Sequence, residues 1–192
     1  MQNTIETMKS LSFGTELEYT GITRPVAAKA IQSVIGGTIA HRPDLGYDTW
    51  QIKSPDGRIW KAISDGSLGA GGGCEVVTPI LRWEDMETLQ EVVRSLRKAG
   101  AKATSETSQH IHIGAQGFSP VQIANFAKIF YKQEELILKS LGTWGHRLGH
   151  YAKRTDRGFI ERLNATRQIT NESLNKAWFG ELNMHPTHHA SH

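Results

Sequence analysis

Two glutamates alternate within an apolar segment whose pattern predicts a β-strand over residues 11–20. Because side chains alternate along a strand, the carboxylates of Glu16 and Glu18 project from one face, about 7 Å apart. Two like charges on one face repel each other unless a cation or several donors lie between them. Mg²⁺ and other hard divalent ions prefer such oxygen ligands, although a water-covered sheet face accommodates the same pattern.

Two histidines repeat this arrangement in a strand predicted near residues 110–115. His110 and His112 share one face, whereas Ile111 and Ile113 lie on the face expected to meet the core. A His-x-His pair on a strand is common at metal or phosphate sites, and a solvated histidine pair is about as common. The pattern therefore leaves both interpretations open.

A third acidic residue, Glu75, lies in an apolar strand predicted over residues 74–81. Asp65 and Ser67 lie at the start of the glycine-rich segment that precedes this strand. Each of these signals is weak alone. Four separated segments that each place an acidic or imidazole group on a strand, or at its end, favour a single site.

The glycine-rich segment has five glycines within residues 66–73. It lacks the Gly-Lys-Ser/Thr ending of a Walker A loop, and a strand follows it instead of the helix that a dinucleotide-binding fingerprint requires. Its backbone amides could approach a phosphate, and the alternative is a flexible connection or lid. The adjacent Cys74 has no catalytic partner in the sequence pattern, which favours a buried thiol.

A basic stretch follows the third predicted helix. It consists of Arg147, Tyr151, Lys153, Arg154 and Arg157. Arg and Lys are the usual electrostatic partners of phosphate in phosphoryl transfer. A solvated basic segment is the alternative interpretation.

The elements that must position these residues alternate between strands and helices. Apolar spacing predicts further strands and helices at residues 38–41, 48–53 and 58–63 (strands) and 25–35, 83–99, 119–141, 158–163 and 172–179 (helices). Strands in a mostly hairpin-connected order with inserted helices predict an α+β fold with a largely antiparallel sheet. We expect residues 1–10 to form a loose leader and residues 11–192 to form a single domain.

Composition excludes several classes of protein. The 192 residues carry a net charge of +3, which is too small to argue for nucleic-acid binding. The single cysteine excludes a disulfide-stapled scaffold. No apolar run approaches the roughly 20 residues of a membrane span, and the N-terminus lacks a signal-peptide core. These features predict a soluble, cytoplasmic protein with no membrane or nucleic-acid partner.

Four motifs, taken in order, resemble the amidoligase family of carboxylate–amine ligases. They are residues 13–19 (FGTELEY), 65–68 (DGSL), 73–81 (GCEVVTPIL) and 110–114 (HIHIG). The resemblance covers about residues 11–155, and its specificity lies in the ordered set. It implies a glutamine-synthetase-like catalytic domain: a curved antiparallel sheet with helices on one face and a concave face that holds ATP and Mg²⁺, with Mn²⁺ as an alternative.

The resemblance also implies roles for individual residues. The metal ligands would be Glu16, Glu18, Glu75, His110 and His112. Catalytic roles would fall to Glu16, Glu75 and Arg147, and ATP-binding roles to Asp65, Ser67 and Lys153. The implied reaction joins a small-molecule or peptide carboxylate to an amine through an acyl phosphate.

The chain departs from the family pattern in two places. Ala152 stands where a cysteine often follows the tyrosine of the Arg/Tyr segment. The family's later Arg-Tyr…Asn-Leu segment and its strand carrying Glu-Phe-Arg are not found in this sequence, so we expect a C-terminally incomplete domain without ligase activity of its own. We expect an open sheet edge to be covered by self-association into a homo-oligomer or by residues 181–192.

Two other classes of function remain as alternatives. A metal-dependent hydrolase would use the His-x-His and Glu groups to activate water. A non-catalytic binding module would retain the fold without turnover. Dependence on a nucleotide separates the ligase from the hydrolase.

Overall fold

Alternating apolar and polar residues build an antiparallel sheet in the N-terminal part of the chain. The computed structural model describes residues 2–66, 68, 73–142 and 154–179. The chain divides into two units, Met1–Gly114 and Ala115–His192, and each is described by itself.

Six strands form the sheet in the described part of the first unit: β1 (Phe13–Tyr19), β2 (Thr38–Arg42), β3 (Thr49–Lys53), β4 (Ile59–Ser64), β5 (Cys74–Val77) and β6 (Gln109–Ile113). Their order is β2-β3-β4-β5-β1-β6, and every neighbouring pair is antiparallel. This order places β1 between β5 and β6. The three strands that carry the predicted acidic and histidine residues are therefore neighbours.

Three helices accompany the sheet in the described part of this unit: α1 (Gln2–Lys9), α2 (Arg24–Ile35) and α3 (Met86–Lys98). Short 3-10 turns lie at Pro43–Leu45 and Trp83–Asp85. Pro25 in the first turn of α2 is compatible with a helix start, and Gly36 with φ of 71° ends this helix. The helix α3 buries Leu89, Val92 and Leu96 along one stripe.

The core lies on the face of the sheet that α2 and α3 cover. Its fully buried side chains include Ile31 of α2, Val92 of α3, and Ile52, Trp60 and Val76 of the sheet. Trp60 is 1% exposed and Ala62 of the same strand is fully buried. Because side chains alternate, the residues between the buried positions project from the opposite face. That second face carries the predicted site residues.

The described part of the second unit is helical. It contains α4 (Pro120–Leu141), α5 (Arg157–Ala165) and α6 (Asn171–Phe179). Ser119 starts α4 with a capping box that includes Gln122. Ala124 of α4 packs with residues of α5 and α6 around the buried Leu163.

The structure confirms an α+β protein with an antiparallel sheet, whereas the glutamine-synthetase-like fold remains a prediction. Within residues 1–10, which we expect to be a leader, the structure has the helix α1 over Gln2–Lys9, and that this segment is a leader stays a prediction. Its only apolar pair after the first residue, Ile5 and Met8, gave too little periodic signal to predict a helix. That residues 11–192 form a single domain stays a prediction.

In the described part of the chain, no helix combines the length and apolar character needed to cross a bilayer.

Candidate active site

Strand register brings the predicted acidic and histidine residues onto one face of the sheet. Glu16 pairs with His110 across β1 and β6, and Glu18 pairs with Glu75 across β1 and β5. His112 lies two residues beyond His110 and therefore on the same face. Directly paired residues have neighbouring side chains, so the five groups form one cluster. We call these five residues the carboxylate–imidazole cluster.

Glu16 lies at the centre of the cluster. Its Oε2 atom is 2.9 Å from His110 Nδ1, and its Oε1 atom is 3.3 Å from His112 Nε2. Burial raises the pKa of Glu16, whereas the hydrogen bond with His110 and the charges of both histidines lower it. The lowering effects are together the larger, so the pKa of Glu16 lies below its ordinary value. Glu16 is therefore an ionised carboxylate held between two imidazoles at neutral pH.

Glu18 is held by Ser108, the residue that precedes β6. The Ser108 backbone N–H donates to Glu18 Oε2 at 2.7 Å, and the Ser108 hydroxyl donates to Glu18 Oε1 at 2.5 Å. The side chain of Glu18 is only 6% exposed. Hydrogen bonds to an ionised carboxylate stabilise its charge, so these two donors make a buried anion tolerable at this position.

Glu75 has the most perturbed acid group of the cluster. Burial raises its pKa, the neighbouring carboxylates of Glu16, Asp65 and Glu18 raise it further, and the resulting value is about 8. A protonated Glu75 donates a hydrogen bond to Glu16, which favours the neutral form of one and the charged form of the other. In the absence of a cation, Glu75 therefore carries a proton at neutral pH.

One nitrogen in the cluster lacks a hydrogen bond. His112 Nε2 is buried and has no hydrogen-bond partner in the described residues, although Glu16 lies 3.3 Å away. As the side chains are placed, no three His, Cys, Asp or Glu residues of the described chain converge on a position that could hold a metal ion. The carboxylates and imidazoles pair with one another instead.

The other predicted site residues divide into two groups. Asp65 lies beside the cluster, where its charge raises the pKa of Glu75, and its backbone N–H donates to Gly73 O at 3.1 Å. Ser67, Arg147 and Lys153 lie outside the described residues.

Two cations of the predicted basic stretch are described, and both pair with carboxylates of the helical unit. Arg154 lies 2.7 Å from Glu135, and Arg157 lies 2.7 Å from Glu161. A phosphate would have to displace these ion pairs. The described part of the stretch is therefore engaged in surface ion pairs, as the solvated-segment interpretation expects.

Sequence reasoning missed three residues on or beside this face. Ser108 lies outside the regular strand, and no spacing rule connects it to Glu18. Gln51 and Lys61 are direct partners across β3 and β4, on the same face as the cluster. Lys61 alternates with the buried Trp60 and Ala62, and this alternation could have predicted that its side chain projects from the face opposite the core.

Together, these features define an α+β protein with a carboxylate–imidazole cluster on the face of its antiparallel sheet opposite α2 and α3. A family model described as "Putative amidoligase enzyme" matches residues 9–192. The chain therefore belongs to the amidoligase family, which confirms the resemblance carried by the four motifs. No curated protein and no solved structure matches the chain. Family membership supports a ligase-type enzyme.

Proposed function

We propose that this protein is an ATP- and Mg²⁺-dependent carboxylate–amine ligase. The observation that carries the proposal is the gathering of three carboxylates and two imidazoles on one sheet face in a member of the amidoligase family. Phosphoryl transfer depends mainly on positioning and on neutralising charge, so hard ligands matter more than a covalent nucleophile. The described face carries carboxylate and imidazole side chains of the kind that bind divalent cations.

The residues present fit a divalent cation in their chemistry. Carboxylate oxygens suit Mg²⁺, and the buried His112 Nε2 has no hydrogen-bond partner in the described residues. Burial raises the pKa of Glu75, and the neighbouring carboxylates raise it further, and a cation would relieve the repulsion between these carboxylates. Glu16, Glu18, Glu75, His110 and His112 would hold the ion, which supplies charge neutralisation at the nucleotide phosphates when bound.

The chain's own residues have distinct roles in this proposal. Ser108 fixes the Glu18 carboxylate through two donors. The two imidazoles hold Glu16 ionised between them. Glu75 would have to lose its proton to bind a cation, so cation binding would depend on pH.

The overall reaction balances as follows. An oxygen of the substrate carboxylate forms a bond to the γ-phosphorus of ATP, and the bond from that phosphorus to ADP breaks. The amine nitrogen then forms a bond to the acyl carbon and loses a proton. Phosphate leaves with the carboxylate oxygen, and the product is an amide.

An ADP-release assay tests the proposal. Purified protein is incubated with Mg²⁺-ATP and a panel of amino acids and amines, singly and in pairs. ADP release that requires both a carboxylate and an amine, and that is lost in Glu16→Gln, would show that this chain carries out the ligase reaction. If the reaction needs the family segments not found in this sequence, Mg²⁺-ATP binds without turnover and Glu16→Gln loses that binding. Glu84→Gln, an exposed glutamate of the Trp83–Asp85 turn, is the matched control and should retain activity.

Three results would contradict the ligase. Turnover of an amide or ester without ATP would establish the hydrolase. ADP release that ignores both carboxylate and amine would establish a simple ATPase. No turnover and no Mg²⁺-ATP binding would establish a non-catalytic module.

A further inference from the structure

The site face of the sheet has a second half, on β3 and β4, that carries a cation and an amide. Strand register forms one continuous row across the sheet, which runs Gln51, Lys61, Val77, Glu16 and His110. Neighbouring strands lie about 4.8 Å apart, so the backbones of Lys61 and Glu16 are about 10 Å apart. The apolar Val77 lies between these two charged residues.

Lys61 differs from the other partly buried cations of the first unit. Within its described residues, the lysines and arginines of intermediate exposure are Lys9, Arg24, Arg58 and Lys61. The first three each have a carboxylate within ion-pair distance, at 3.7, 2.6 and 2.6 Å. For Lys61, the described residues provide no such carboxylate and no side-chain hydrogen bond.

Gln51 extends the same feature by one strand. It is the direct partner of Lys61 in the β3–β4 pair and is also partly buried. Its amide makes no side-chain hydrogen bond to the described residues. An ammonium group and an amide N–H side by side, both available to a ligand, form a pair of donors that suits a carboxylate or phosphoryl oxygen.

We infer that Lys61 and Gln51 form an anion-binding subsite beside the carboxylate–imidazole cluster, and that it takes the carboxylate or phosphoryl oxygens of the substrate. The inference rests on the proposed function, because a carboxylate–amine ligase must hold an anion next to its cation site. An anion above Val77 would lie between Lys61 on one side and the cluster on the other. Lys61 and Gln51 would thus hold the reacting anion from one side, while the cluster lies on its other side.

Thermal melts and calorimetric titration with simple anions test the subsite. The probes are sodium phosphate and sodium succinate, each compared with sodium chloride at equal ionic strength in the presence of EDTA. The variants are Lys61→Met, which removes the charge, and Lys61→Arg, which keeps it. Lys98→Met, at an exposed lysine of α3, is the matched control.

We expect the wild type to bind at least one probe, and Lys61→Met to weaken that binding about tenfold, as expected for loss of a charged hydrogen bond. Lys61→Arg and Lys98→Met should bind nearly as the wild type does. Stronger binding of phosphate would assign the subsite to the phosphoryl group, and stronger binding of succinate to the carboxylate.

Two results would overturn the inference: equal binding by wild type and Lys61→Met, or no binding of either probe by the wild type. A melt without anion verifies that each variant is folded. Because these titrations contain neither metal nor nucleotide, they measure anion binding at the subsite independently of ligase activity. If the Lys61→Met variant releases ADP at the wild-type rate, the proposed function stands and the inference of a substrate-binding subsite fails.

Discussion

At the scale of single residues, burial and the neighbouring carboxylates together raise the pKa of the Glu75 carboxyl group. Its pKa in the folded protein is about 8, against an ordinary value of 4.5. A group whose pKa rises on folding contributes stability that is fully present below its unfolded pKa and is lost as pH rises toward its folded pKa. The metal-free protein should therefore lose stability between about pH 4.5 and pH 8 because of this group.

Glu75→Gln should remove this pH dependence. A neutral amide has no proton to lose, so the variant should gain stability over the wild type as pH rises from 5 to 8.5. The expected gain is about 1–3 kcal/mol, discounted because the group is partly exposed. Urea denaturation in EDTA at the two pH values measures it, with Glu84→Gln as control. An equal difference between wild type and Glu75→Gln at both pH values would contradict the assignment.

The Ser108 hydroxyl is the second residue-scale feature with a measurable effect. Ser108→Ala removes one of the two donors that Ser108 offers to the nearly buried Glu18 carboxylate. Loss of a hydrogen bond to a charged group should destabilise the fold by about 1.5–3 kcal/mol. Ser140→Ala, whose hydroxyl bonds to Leu136 O on an exposed helix surface, should cost less than about 1 kcal/mol. If both variants unfold at the same urea concentration, Ser108 does not hold Glu18.

At the scale of elements, the connection from α2 into β2 depends on a glycine. Gly37 has φ of 82°, and a Cβ there would overlap the Lys53 carbonyl oxygen of the paired strand β3. Gly57, in the turn between β3 and β4, has φ of 87° but open space around it. Both positions therefore strain an L-residue, and only Gly37 adds a clash with backbone.

Gly37→Ala should destabilise the protein more than Gly57→Ala does. We expect about 1–2 kcal/mol for Gly57→Ala from its backbone conformation alone, and at least about 2 kcal/mol more for Gly37→Ala. Melting temperatures of the two variants, measured side by side, give the comparison. Equal losses would mean that the start of β2 moves away from β3 without cost.

Strand positions could be predicted from alternation, but their ends depend on contacts that the sequence does not display. The strand β5 ends at Val77, four residues before the predicted end at residue 81. Thr78 still pairs with Thr15: its backbone N–H donates to Thr15 O at 3.0 Å, and its side-chain Oγ1, in place of its carbonyl oxygen, accepts from the Thr15 N–H at 2.9 Å. Pro79 then has no N–H to donate.

At the scale of the whole molecule, the site depends on which strands are neighbours. Alternation predicted that Glu16 shares a face with Glu18, and His110 with His112. It could not predict that β1 lies between β5 and β6, because strand order depends on long-range pairing that local patterns do not encode. That these residues form one site was predicted from the four polar segments and from the family resemblance, whereas neither predicted the order of the strands. Neither singled out Lys61, because its place in line with Glu16 follows only from the register.

Removal of Mg²⁺ should be visible as a change in stability. A cation bound to the cluster would stabilise the folded protein by mass action, and a proton on Glu75 would compete with it. We expect 10 mM MgCl₂ to raise the Tm by more at pH 8.5 than at pH 6, and Glu16→Gln to lose most of the shift. Sodium chloride at equal ionic strength is the control for screening. If Mg²⁺ does not change the Tm at either pH, the cluster does not bind this metal ion.

The most direct test of the ligase proposal follows an oxygen atom. The carboxylate substrate that gives the greatest ADP release is supplied with both carboxylate oxygens as ¹⁸O, together with ATP, Mg²⁺ and the amine. Activation through an acyl phosphate predicts one ¹⁸O in the released phosphate and one in the amide for every ADP formed, detected by ³¹P NMR and mass spectrometry. Released phosphate without ¹⁸O, or the absence of an amide product, would contradict the proposed reaction.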